Sequence, residues 1–207
     1  MIDIDICKPT GALDYLPPEQ IASLFHNGIS VQMLIDRSVG NSRKGSRRWV
    51  NKLISYDAES FDKNIRKLKE QQDYLACPDI RLYGAMNYRN LDKAMKKFVH
   101  TIIDMNPIYF PRFFSRIQDN FVSALMNPTS KETKLWLFDV DLAEDYRSEE
   151  SLNPLMTDAK NNGIVERYRY PTPGGWHVVV EPYNKSLYTL PNAITLQQDG
   201  LVLLRVI

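Results

Sequence analysis

Two aspartates separated by one residue, Asp139 and Asp141, close an apolar run, KLWLFDVD, over Lys134 to Asp141. Its β-branched and aromatic content is that of a buried strand. Alternate residues of a strand project to the same side, so both carboxylates face one way, about 7 Å apart along the backbone. Held like that, they repel unless a proton or a cation lies between them. Oxygen ligands favour magnesium, manganese or calcium. Paired carboxylates of this kind clamp the metals of phosphoryl-transfer sites. The competing reading is a strand that runs out into an acidic loop, because Glu144 and Asp145 follow at once.

Thr172-Pro173-Gly174-Gly175-Trp176-His177 leads into a second β-branched run, Val178 to Glu181. Gly174 and Gly175 let backbone N–H groups come close to a ligand. His177, at the mouth of that strand, is placed to donate to a phosphate or to move a proton, or else to serve the structure alone. Gln198-Asp199-Gly200 reads first as a hairpin turn. Its second reading supplies a third carboxylate, Asp199, with Arg205 beyond it as a phosphate contact. Arg81, Asn87 and Arg89 flank a strand ahead of a helix N-terminus, where anions bind or where loop polarity suffices. Trp136, Tyr168, Tyr170 and Trp176 either stack on bases or fill a core.

These residues need elements to hold them. Pro17 and Pro18 open a short helix running to about His26. Strands over Val31 to Ser38 and Trp49 to Tyr56 make a hairpin whose tip carries Arg43, Lys44, Arg47 and Arg48, the candidate nucleic-acid contacts. A helix spans Asp57 to Ala76 with Ser60 as its N-cap, a strand covers Asp79 to Asn87, and Asn90 caps a helix over Leu91 to Asp104. Arg112 to Met126 is helical again, as is Ser148 to Asn162, which Gly163 stops. Strands follow over Ile164 to Tyr170 and Trp176 to Tyr183, and the last fifteen residues form a hairpin turning at Asp199-Gly200. This mixed order predicts one α+β domain, residues 1–207, with a largely antiparallel mixed sheet flanked by helices. Residues 1–130 supply the basic hairpin and helices, and residues 131–207 the sheet core that bears the motifs.

Composition removes several function classes. The chain has 207 residues, 43% of them hydrophobic, and a net charge of +1. No apolar run reaches the 18 or so residues of a membrane span, so no membrane partner is expected. The N-terminus, MIDIDICKPTG, has acidic residues where a secretory signal carries positive charge, and an intracellular, cytoplasmic protein is expected. Cys7 and Cys77 lie far apart with no ligand spacing, and only His26, His100 and His177 could join them, which disfavours a thiolate zinc site. No heptad pattern speaks to oligomeric state.

Taken in order, the three motifs resemble those of the archaeo-eukaryotic primase superfamily. That pattern is a strand with Asp-x-Asp, a small-residue turn with a His opening a strand, and a later strand with a third acidic residue. The matching segments here are Phe138 to Asp141, Thr172 to His177, and Gln198-Asp199, all within the last third of the chain. The resemblance implies a primase-like core, similar to an RNA-recognition motif, in the C-terminal part. It implies a nucleotidyltransferase of primase or primase-polymerase type acting on nucleoside triphosphates and nucleic acid. It further implies that Asp139, Asp141 and Asp199 bind two Mg2+ or Mn2+ ions, and that His177 contacts the phosphates of an incoming nucleotide. Two departures stand out: little chain follows the third motif, and Gln198 replaces the apolar residue expected before Asp199. A compact member from a virus or mobile element fits that picture. Two alternatives are a non-catalytic module on the same fold that binds nucleic acid or protein, and a metal-dependent nuclease built on Asp139, Glu181 and Lys185.

Overall fold

The computed structural model describes residues 13–14, 16–37, 48–77, 79–141, 148–186 and 188–206. They form β1 (Leu13–Asp14), α1 (Pro18–Phe25), β2 (Ser30–Asp36), β3 (Arg48–Ser55), α2 (Ala58–Leu75), β4 (Ile80–Ala85) and α3 (Leu91–Ile103). There follow α4 (Phe110–Phe114), α5 (Ile117–Leu125), β5 (Trp136–Asp141), α6 (Glu149–Asn161), β6 (Glu166–Thr172), β7 (Gly175–Val180), β8 (Ile194–Gln197) and β9 (Leu201–Val206). The α+β class expected from the sequence is therefore present. Arg43, Lys44 and Arg47 lie outside the described residues, and Arg48 enters only as the first residue of β3.

The strands make two antiparallel sheets rather than one. The first has the order β1-β9-β4-β2-β3 and the second β6-β7-β5-β8. Their inner faces pack on each other. Leu137, Tyr170 and Val179 of the second sheet share a buried cluster with Met33, Tyr83 and Leu203 of the first. The outer face of the second sheet, with Phe138, Val140, Val178 and Val180, is covered by Leu152, Met156 and Ala159 of α6. On the first sheet the outer face meets α2, whose Phe61 and Leu68 are buried.

This double burial fixes the register of β5. Each large side chain under α6 contributes about 1.5–3 kcal/mol on burial. A slip by one residue would exchange Phe138 and Val140 for Asp139 and Asp141, placing carboxylates beneath the helix. The two aspartates must therefore face the other sheet.

Three local expectations are corrected. The N-cap of α2 is Asp57, whose carboxylate accepts from the Ser60 N–H at 2.8 Å. Ser60 sits at the third helical position and returns the contact to the Asp57 N–H at 3.1 Å, a capping box. The helix expected over Arg112 to Met126 is two, α4 and α5, parted at Ser115-Arg116. Above all, the terminal hairpin does not form. The chain leaves the second sheet at Gln197 and enters the first at Leu201, where β9 pairs with β4 and β1. Gly200 passes so close to β5 that a Cβ there would lie 2.8 Å from the Leu137 Cβ. An Asp-Gly pair gives the chain a sharp bend; the bend here changes sheets. No helix among the described residues is long and apolar enough to cross a membrane.

Candidate active site

The inner face of the second sheet gathers polar groups at one end. Asp139 lies opposite His177 of β7 and opposite Thr195 of β8, and Asp141 lies opposite Gly175. Tyr170 of β6 stands across from His177. These pairs put Tyr170, His177, Asp139 and Asp141 on one surface, because cross-strand partners share a face.

Hydrogen bonds order this surface. The Tyr170 hydroxyl lies 2.8 Å from His177 Nδ1, and His177 Nε2 is 3.4 Å from Asp139 Oδ1. Gln197 Nε2 donates to the other carboxylate oxygen, Asp139 Oδ2, at 3.0 Å. His177 is buried, Asp139 half-buried and Asp141 exposed, so polarity increases outward along β5. Burial, the largest effect, pushes the Tyr170 phenol well above its ordinary range; the N–H of Leu203, which donates to its oxygen at 3.0 Å, only partly offsets this. Tyr170 is therefore a neutral phenol at any ordinary pH.

Across the gap stands the first sheet. Arg81 and Tyr83 lie on the face of β4 that carries the inner-layer residues, and Arg37 follows β2. Arg37 donates to the Tyr83 hydroxyl at 3.2 Å. The Arg81 Nε is buried and has no hydrogen-bond partner among the described residues. Arg37, Arg81, Asp139, Asp141, His177 and Gln197 line one cavity of about 130 Å³, with Thr172 to Gly174 at its rim. Gly174 keeps that rim low: a Cβ there would lie 3.6 Å from Asp141 Oδ1.

The motif residues are thus only partly brought together. Asp139, Asp141, His177 and Gly174 meet at the cavity; Gly175 pairs within β7 beside them and does not line it. Asp199 lies elsewhere, its two oxygens each 2.9 Å from an Arg89 guanidinium nitrogen. Asn87 Nδ2 also donates to it at 3.2 Å. Arg205 turns to the opposite face of its sheet, where it donates to Asp73 at 2.7 Å and to the Lys69 carbonyl at 3.3 Å. The nuclease set is not assembled either. Glu181 is ion-paired with Arg167, and the Lys185 ammonium sits 5.3 Å over the Trp136 ring.

Arg37, Gln197, Tyr83 and the bridging role of Tyr170 escaped the motif reading. Only Gln197 had a local signal, since alternation along β8 places it on the aspartates' side. Among the described residues no three His, Cys, Asp or Glu side chains group to hold a metal. Asp139 and Asp141 suffice for one hard cation whose remaining ligands are phosphate oxygens and water, the usual arrangement for magnesium. Comparison with family models, curated proteins and solved structures finds no match to this chain.

Proposed function

We propose that the cavity between the sheets binds the polyphosphate of a nucleoside triphosphate with Mg2+ or Mn2+, and that the protein is a nucleotidyltransferase of primase type. One observation carries this reading: two carboxylates on one sheet and two arginines, Arg37 and Arg81, on the side of the other line one cavity, with His177 beside Asp139. A triphosphate needs both kinds of partner. Its oxygens repel carboxylates and are drawn to guanidinium groups, while a cation reconciles the two.

Asp139 and Asp141 would hold one divalent ion, and Asp199 is not at hand for a second. When bound, that ion neutralises phosphate charge and favours loss of pyrophosphate as a 3′-hydroxyl attacks the α-phosphorus. Gln197 orients the Asp139 carboxylate, and Arg37 and Arg81 supply the positive charge opposite. The buried Arg81 Nε, with no partner among the described residues, has its hydrogen bond left to give. Arg205, occupied by Asp73, has no part in this scheme.

The test is binding of labelled nucleoside triphosphate with and without manganese, followed by primer synthesis and extension. Metal-dependent binding that Asp139→Ala/Asp141→Ala removes, with the fold intact by circular dichroism, is the expected result. Absence of binding by folded wild-type protein overturns the reading. The capture of Asp199 by Arg89 favours a second reading, a nucleotide-binding module without turnover. Tight metal-dependent binding with no product in any primer assay would select it.

A further inference from the structure

Tyr170 and His177 form a pair whose proton positions follow from their neighbours. A backbone N–H is an obligatory donor, and that of Leu203, on β9 of the first sheet, points at the Tyr170 oxygen. The phenol hydrogen needs an acceptor of its own, because a buried unsatisfied donor costs about 1–3 kcal/mol. Among the described residues one neighbour can accept it: His177 Nδ1, at 2.8 Å. The lone pair of that nitrogen must then face the phenol, and the neutral ring carries its hydrogen on Nε2. The opposite tautomer fails twice. It would aim two donors at one phenol oxygen while leaving the phenol hydrogen without an acceptor. It would also turn a nitrogen lone pair toward Asp139 Oδ1, 3.4 Å away.

We infer that Tyr170 is a positioning residue that locks His177 as the Nε2–H tautomer, so that the imidazole meets its ligand as a hydrogen-bond donor and not as a base. The ligand it meets rests on the proposed function; the tautomer does not. Because the same hydroxyl accepts from β9, it also ties the histidine on one sheet to the backbone of the other. A shift of the sheets relative to each other loosens the ring.

The experiment is ¹⁵N–¹H correlation of the imidazole nitrogens in the full chain labelled with ¹⁵N-histidine, at roughly pH 9, where an ordinary imidazole is neutral. His177→Asn assigns the resonances. The expected wild-type spectrum has a hydrogen on Nε2 and a hydrogen-bonded acceptor at Nδ1. Tyr170→Phe should move the Nδ1 resonance toward that of an unbonded nitrogen and lower nucleotidyl transfer roughly 10- to 100-fold, as losing an orienting partner does. A hydrogen on Nδ1 in the wild type overturns the inference, as does an unmoved Nδ1 resonance in folded Tyr170→Phe. Should that variant fail to fold, the wild-type spectrum decides alone. An Nε2–H spectrum from a protein that binds no nucleotide removes the function and leaves the tautomer standing.

Discussion

Two of the regions where carboxylates face guanidinium groups give opposite results. At one, Arg89 is fully buried and closes on Asp199 through two bonds of 2.9 Å, and Asn87 donates to the same carboxylate. At the other, Arg37 and Arg81 stand across a cavity from Asp139 and Asp141, and among the described residues neither arginine makes an ion pair. The closed pair has spent its charge on itself. A buried guanidinium is tolerable only because its partner is in place. Across the cavity the arginines stay apart from the aspartates, which on the proposed reading leaves room for a ligand that carries both a cation and phosphates. Chemical type does not separate a staple from a site; closure does.

The sharpest way to break the comparison is to exchange the consequences of mutation. Asp199→Ala leaves Arg89 buried and uncompensated and should cost about 3–5 kcal/mol of stability, read by denaturant unfolding. Asp141→Ala should leave unfolding unchanged within about 0.5 kcal/mol while removing metal-dependent nucleotide binding. If the two behave alike, the distinction between the regions is wrong.

A second test lies on the cationic side. Arg81→Met should weaken triphosphate binding by about 1.5–3 kcal/mol, the worth of a hydrogen bond to a charged group, with little change in unfolding. Isothermal titration with a nucleoside triphosphate and manganese measures it.

Alkaline pH bears on the wall behind the site. Burial holds Tyr170 and Tyr168 above the ordinary tyrosine range in the fold. As pH rises past about 10 the unfolded chain loses these protons while the folded one keeps them, so the folded state binds more. Stability should be flat below that pH and fall above it, and Tyr170→Phe should reduce the slope of the fall in urea midpoints. The smallest effect is expected at Tyr168, whose buried hydroxyl has no hydrogen-bond partner among the described residues. Tyr168→Phe should leave the melting temperature unchanged or slightly raised, because nothing is lost with the hydroxyl.

What the sequence made legible was local. Asn90 caps α3 as expected, its side chain accepting from the Lys93 N–H, because capping depends on a few adjacent residues. The alternation in KLWLFDVD placed Asp139 and Asp141 on one side, and the register of β5 against β7 brings His177 beside Asp139. Pairing between distant segments was not legible. Asp199-Gly200 announces a bend, yet nothing in those residues says that the next strand joins another sheet. Arg37 reaches the cavity only because β2 lies beside β4, a fact of topology without a local mark. Asp199 lies away from the cavity for the same reason: its partner, Arg89, comes from the loop after β4.

The position of β9 has a consequence for how the protein comes into being. Leu201–Val206 lies between β1 and β4, yet it is the last of the described strands to leave the ribosome. Until then β4 presents an unpaired backbone edge on that side, beside apolar surface that Val202 and Leu203 will cover. Such an edge is a template for pairing with the wrong chain. Vectorial synthesis can prepare α2 with β2, β3 and β4, but closure of the first sheet, and with it the opposing wall of the cavity, waits for Leu201–Val206. The chain is therefore expected to need shielding until β9 is in place, and a released chain cut after Gly200 should be more prone to aggregate than one that includes Leu201–Val206.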